Sequence, residues 1–97
     1  MNEAQLIERA TKAKAILESP VYQESYDLCR LAILTRIEKT PLTDTPQAET
    51  LRHCLKLLRD VRANLELTMK QGTIAQFKVA ELDARSKNPL RGIFKHG

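Results

Sequence analysis

The stretch TPQAETLRHCLKLLRDVRANLELTMKQG, residues 45–72, carries apolar side chains at Leu51, Cys54, Leu58, Val61 and Leu65, with Leu55 and Met69 widening the row. Steps of three and four residues bring such side chains to one face of an α-helix, which predicts a helix over about 46–71 with one apolar side. Its ends carry signals too. Thr45 before Pro46 suits an N-cap followed by a proline, whose missing N–H is not needed in the first turn. Gly72 suits the left-handed residue that closes many helices.

Towards the N-terminus the same punctuation recurs. Asn2 followed by Gln5 is a capping-box pattern, and Leu6, Ile7, Ala10, Ala13, Ile16 and Leu17 predict a first helix over about 3–18. Its small Ala10 and Ala13 permit close approach to a neighbour, which so short a helix needs. Ser19-Pro20 then opens a second helix over about 20–39, with Tyr22, Tyr26, Cys29, Ile33 and Ile37 as its main row. It stops before Pro41, because the residue preceding proline is pushed out of helical geometry. Leu28 and Leu31 fall on its opposite side, so this helix is apolar on two faces.

The short connection from Thr40 to Asp44 predicts that helices 20–39 and 46–71 form an antiparallel hairpin, with Cys29 and Cys54 facing each other in its core. Beyond Gly72, Thr73 and Gln76 repeat the capping-box pattern and predict a shorter fourth helix over about 74–86. Its apolar residues divide, with Ala75, Val79 and Leu82 on one side and Ile74, Phe77, Ala80 and Ala84 on the other. Residues 87–97 contain Pro89 and two glycines and predict an extended basic arm. The expected architecture is all-α, with a single domain over 1–86 and an arm over 87–97.

Composition narrows the class further. A chain of 97 residues with two tyrosines, two phenylalanines, no tryptophan and three glycines lacks the residues that a sandwich or barrel requires. A compact chain of this length buries roughly two thirds of its unfolded surface, so one modest core is all it can hold. No apolar run approaches the roughly 20 residues that span a bilayer, and the first nine residues lack the basic-then-apolar order of a signal peptide. A cytosolic protein with no membrane partner is expected. The formal charge of +4 is uneven: residues 1–45 carry a net of −1 and residues 46–97 a net of +5, so an anionic partner would meet the second half.

Catalytic material is sparse. His53 and His96 are the only histidines, no phosphate-binding glycine loop occurs, and the thiols and imidazoles are too few for a zinc centre. No catalytic, metal or cofactor residue and no small-molecule substrate is expected. Arg52, Lys56 and Arg59 lie on one side of the third helix and could contact phosphates together with Lys87 and Lys95, or simply form a solvated face interrupted by Glu49, Asp60 and Glu66. The arm mixes Leu90, Arg91, Ile93 and Phe94, apolar residues that either fold back on the helices or dock on another chain. The second faces of helices two and four, through Leu28, Leu31, Ile74 and Phe77, are the other candidate partner-binding surface.

The order of these signals resembles a known group. Arg9 to Glu24, Thr40-Pro41 with Asp44, Ala48-Glu-Thr-Leu51 leading into Leu55, Leu57-Leu58 and Leu65, and Gly72-Thr-Ile-Ala75 resemble short α-helical proteins encoded in the capsid, portal and terminase gene cluster of tailed bacteriophages. The chain departs from that group in lacking tryptophan near Ile37 and Arg52 and arginine near Ala48. The resemblance implies a non-enzymatic role in virion assembly or DNA packaging, located in the host cytoplasm or the virion. The partner would be a second copy or a larger phage structural protein. A small-terminase-like packaging subunit that binds nucleic acid, or an inhibitor of a host protein, is the alternative.

Overall fold

The computed structural model describes residues 1–87, and these form three helices: α1 (Glu3–Glu18), α2 (Pro20–Lys39) and α3 (Thr45–Lys87). No strand occurs among the described residues. Two of the starts are built as their side chains dictate. The Asn2 side chain accepts from the Gln5 amide at 2.9 Å while the Gln5 side chain accepts from the Asn2 amide at 3.1 Å, a closed capping box. Ser19 ends α1 and caps α2, its hydroxyl accepting from the Tyr22 amide at 3.4 Å, with Pro20 opening the first turn.

The third helix begins one residue earlier than its proline suggests. Asp44, not Thr45, accepts from the Gln47 amide at 3.2 Å, and its carbonyl takes the Ala48 amide at 3.2 Å. A carboxylate is well suited there, since it meets both a free amide and the positive end of the helix dipole. Asp44→Ala is therefore expected to cost about 1 kcal/mol in chemical denaturation, and Thr45→Ala distinctly less.

The larger correction concerns Gly72. Separate helices over 46–71 and 74–86 were expected, giving a hairpin flanked by a short fourth helix, but α3 runs without interruption through this residue for 43 residues. No glycine among the described residues has a positive φ. Gly72 is buried where α1 crosses α3, and a Cβ built on it would overlap that of Ala10 and lie 3.1 Å from the Leu6 carbonyl oxygen. Its missing side chain lets two backbones approach; it does not end a helix. Thr73 is correspondingly no cap, because its hydroxyl donates to the Met69 carbonyl at 3.1 Å inside the helix.

Both shorter helices lie antiparallel to α3, one after the other. Ala10, Thr11 and Lys14 of α1 border Met69, Gly72 and Thr73, while Ala13 and Ile16 border Leu65 and Thr68. Tyr26 of α2 meets Arg62, and Ile37 and Thr40 border Thr45, Ala48 and Arg52. A helix of 43 residues is about 65 Å long. The molecule measures 77 × 26 × 21 Å with a radius of gyration of 22.2 Å. A compact chain of this length would have a radius of about 12–13 Å.

The packed row of α3 is Leu51, Leu55, Leu58, Arg62, Leu65, Met69 and Gly72, each buried or half-buried. Steps of four and three alternate without a break, giving the 3.5-residue period of a supercoiled helix pair. Cys54 and Val61, expected inside, lie outside it: Val61 is 57% exposed, and Cys29 and Cys54 are both free and exposed. The two cysteines therefore do not meet in a core. Arg62 takes the inner position because the Tyr26 ring receives its guanidinium 5.0 Å from the ring centroid, and Glu66 accepts from its Nε at 3.4 Å. A Val61-centred row would have left the arginine without the tyrosine.

Candidate interaction surface

The rod has little interior. Ala13, Leu51, Leu55 and Ala75 are its buried apolar side chains among the described residues, and two of the four are alanines. Thirteen large apolar side chains among the same residues are exposed. A two-helix cross-section explains the imbalance: each helix has one neighbour over most of its length, so only a narrow strip of each is covered.

Every described residue put forward as a partner contact sits on this uncovered surface. Leu28 and Leu31 are each 60% exposed, Ile74 57% and Phe77 72%. They do not form one patch. Leu28 and Leu31 share a face of α2 with Val21, turned away from the row of Tyr22, Tyr26, Ile33 and Ile37 that faces α3. Ile74 and Phe77 belong to α3, on the side opposite the contact with α1, and Leu67 lies on the same side one heptad before Ile74. Sequence reasoning passed over Leu67, whose signal was its seven-residue spacing from Ile74.

Of the proposed phosphate contacts, Arg52, Lys56 and Arg59 are exposed on α3. The Lys56 ammonium lies 3.7 Å from Asp60, which offsets part of the row's positive charge. Lys87 is the last residue of α3. Leu90, Arg91, Ile93, Phe94 and Lys95, and with them the arm apart from Lys87, lie outside the described residues.

No group of histidine, cysteine, aspartate and glutamate gathers to hold a metal ion among the described residues. No described helix is long and apolar enough to cross a membrane. No family model matches the chain, and neither a curated protein nor a solved structure matches it significantly.

What the surface can do is set by its chemistry. A fully buried leucine, isoleucine or phenylalanine side chain contributes about 1.5–3 kcal/mol relative to an exposed one. Three such residues on one helical face, if covered by another protein, would contribute several kcal/mol against the cost of bringing two chains together. The helices carry i,i+4 ion pairs, Glu8–Lys12 and Lys14–Glu18 on α1 and Lys56–Asp60, Arg62–Glu66 and Glu81–Arg85 on α3. These support the helices by a few tenths of a kcal/mol each and can be rearranged at an interface at small cost.

Proposed function

We propose that the chain is a non-enzymatic association module that joins copies of itself, or a copy and a larger protein, through the uncovered apolar faces of α2 and α3. The observation that carries this is the excess, among the described residues, of exposed large apolar side chains over a buried set of four apolar residues. Isolated apolar residues are ordinary on a surface, but rows of them at helical spacing are what a second helix covers. The resemblance to helical proteins of the phage capsid, portal and terminase gene cluster supplies virion assembly or DNA packaging as the setting for this role.

The test is a concentration series by sedimentation velocity on the wild-type chain and on Leu28→Glu/Leu31→Glu and Phe77→Glu. We expect wild type to associate in the micromolar range. At least one variant should shift towards monomer with its far-ultraviolet circular dichroism unchanged, since all three positions are already exposed. A wild-type chain that stays monomeric to millimolar concentration and shows no self-interaction by light scattering overturns self-association. DNA retention that falls log-linearly with salt would favour phosphate contacts through Arg52, Lys56 and Arg59 instead.

A further inference from the structure

The outer face of α3 carries a second row with the same 3.5-residue period as the packed one: Ala63, Leu67, Lys70, Ile74, Phe77, Glu81 and Ala84, in alternating steps of four and three. All seven residues are exposed. The row lies opposite Leu65, Met69 and Gly72, so neither α1 nor α2 covers it. A regular heptad row on the outside of a long helix is the pattern of a coiled-coil contact.

Its order of residues specifies a partner. When two copies of the row run antiparallel about a twofold axis level with the midpoint between Ala75 and Gln76, the six positions from Leu67 to Ala84 each find a complementary one. Ile74 then meets Phe77 of the second copy, Leu67 meets Ala84, and Lys70 meets Glu81. Each contact occurs twice, as twofold symmetry demands. The only two charged residues of the row are of opposite sign and fall opposite each other. In a parallel pair at equal register, lysine would face lysine and glutamate would face glutamate, a repulsion at both layers.

Two features of the single chain prepare it for this contact. Glu66, the residue one turn before Lys70, is already taken by Arg62 at 3.4 Å, and Lys70 has no carboxylate partner within 4.0 Å among the described residues. Glu81 is held by Arg85 at 2.7 Å on the exposed surface, so in the dimer its carboxylate is shared between Arg85 and the second copy's lysine. Beside the row an open groove is lined by Glu66, Met69, Lys70, Thr73 and Ile74, where an aromatic ring from a second copy can lodge. Among the described residues the end of α3 also lacks cover. Leu6 of α1 is level with Gly72, which leaves the last turns, with Val79 and Leu82 exposed, beyond the start of α1.

We propose that the protein forms an antiparallel homodimer through this face of α3, with Ile74 and Phe77 at its centre and Lys70–Glu81 pairs on either side. The proposal rests on the association reading and names its partner and register. A second copy is a better occupant than an unrelated chain because the row is complementary to itself in both charge and bulk.

The experiment is sedimentation equilibrium on the full chain, with circular dichroism as a control for folding. Phe77→Glu should weaken dimerisation by at least about a hundredfold, since the change acts at two symmetry-related layers. Lys70→Glu alone should weaken it by about tenfold, and Lys70→Glu/Glu81→Lys should return it to within about threefold of wild type. In a Cys29→Ser/Cys54→Ser background, chains carrying Lys70→Cys should cross-link on oxidation to chains carrying Glu81→Cys and not to one another. A wild-type dimer indifferent to Phe77→Glu and Lys70→Glu overturns this interface while leaving association through α2 standing. Failure of the double charge exchange to restore affinity, or cross-linking of Lys70→Cys to itself, overturns the antiparallel register. A wild-type chain that is monomeric throughout removes both the dimer and the reading beneath it.

Discussion

Gly72→Leu is expected to lower the melting temperature by roughly 10–20 °C, equivalent to about 2–3 kcal/mol for a chain of this size. The position is buried, and even a methyl group there would overlap the Ala10 Cβ. That atom is fixed directly to the α1 backbone and cannot swing aside, so the two helices must part. Much of the α1–α3 contact is centred on this crossing, and α1 is too short to persist unaided. Gly72→Ala presents two opposing effects. Alanine is about 0.8–1 kcal/mol the better helix former, but the same overlap remains, and a net loss of about 1 kcal/mol is expected. Adding Ala10→Gly should recover part of it by returning the space from the other side. Denaturant titrations of the three variants, with hydrogen exchange to locate the opening in α1, provide the check. If Gly72→Ala proves stabilising, close approach is not why glycine stands there.

The second large effect is expected at the other end of the rod. Leu55→Ala and Leu51→Ala should each cost about 2–3 kcal/mol, towards the low end for a buried leucine, because a thin two-helix seam can collapse onto part of the space left. Val61→Ala and Cys54→Ala should remain within about 0.5 kcal/mol of wild type, as substitutions of exposed residues usually do. Among the described residues Leu51 and Leu55 are the two large side chains of the buried set, on the part of α3 that α2 runs along. Urea denaturation of the four variants distinguishes the two candidate rows of α3. Equal losses at Leu55 and Val61 would place the seam between them.

These expectations show where local reading is sufficient. The Asn2 box, the Ser19-Pro20 start and the Pro41 stop work within four or five residues of chain, and α1 and α2 begin and end where those groups place them. Gly72 is the contrary case. Glycine serves equally at a helix end and at a close crossing, and only the presence of Ala10 on the facing helix decides between them. Lacking that neighbour, the following Thr73 and Gln76 read as a new start, although in the folded chain they continue α3.

The same holds for the candidate surface. That Leu28, Leu31, Ile74 and Phe77 lie apart from the main rows follows from helical spacing, and their exposure in the folded chain agrees with it. Their division between two helices was legible as well, but the addition of Leu67 to the face of Ile74 and Phe77 required knowing that α3 does not stop at residue 71. A heptad row is visible as a row only along an unbroken helix.

The sequence by itself determined that the chain is helical, where α1 and α2 begin and end, and which apolar residues fall away from the main row of α2. Those are consequences of backbone chemistry and spacing, which need no distant contact. Tertiary structure alone decided that α3 passes through Gly72, that Arg62 faces inward, and that Cys54 and Val61 do not. Each alternative is locally almost equivalent, and the choice was made by groups far away in sequence: the Ala10 methyl that leaves no space for a side chain, and the Tyr26 ring that accepts a guanidinium.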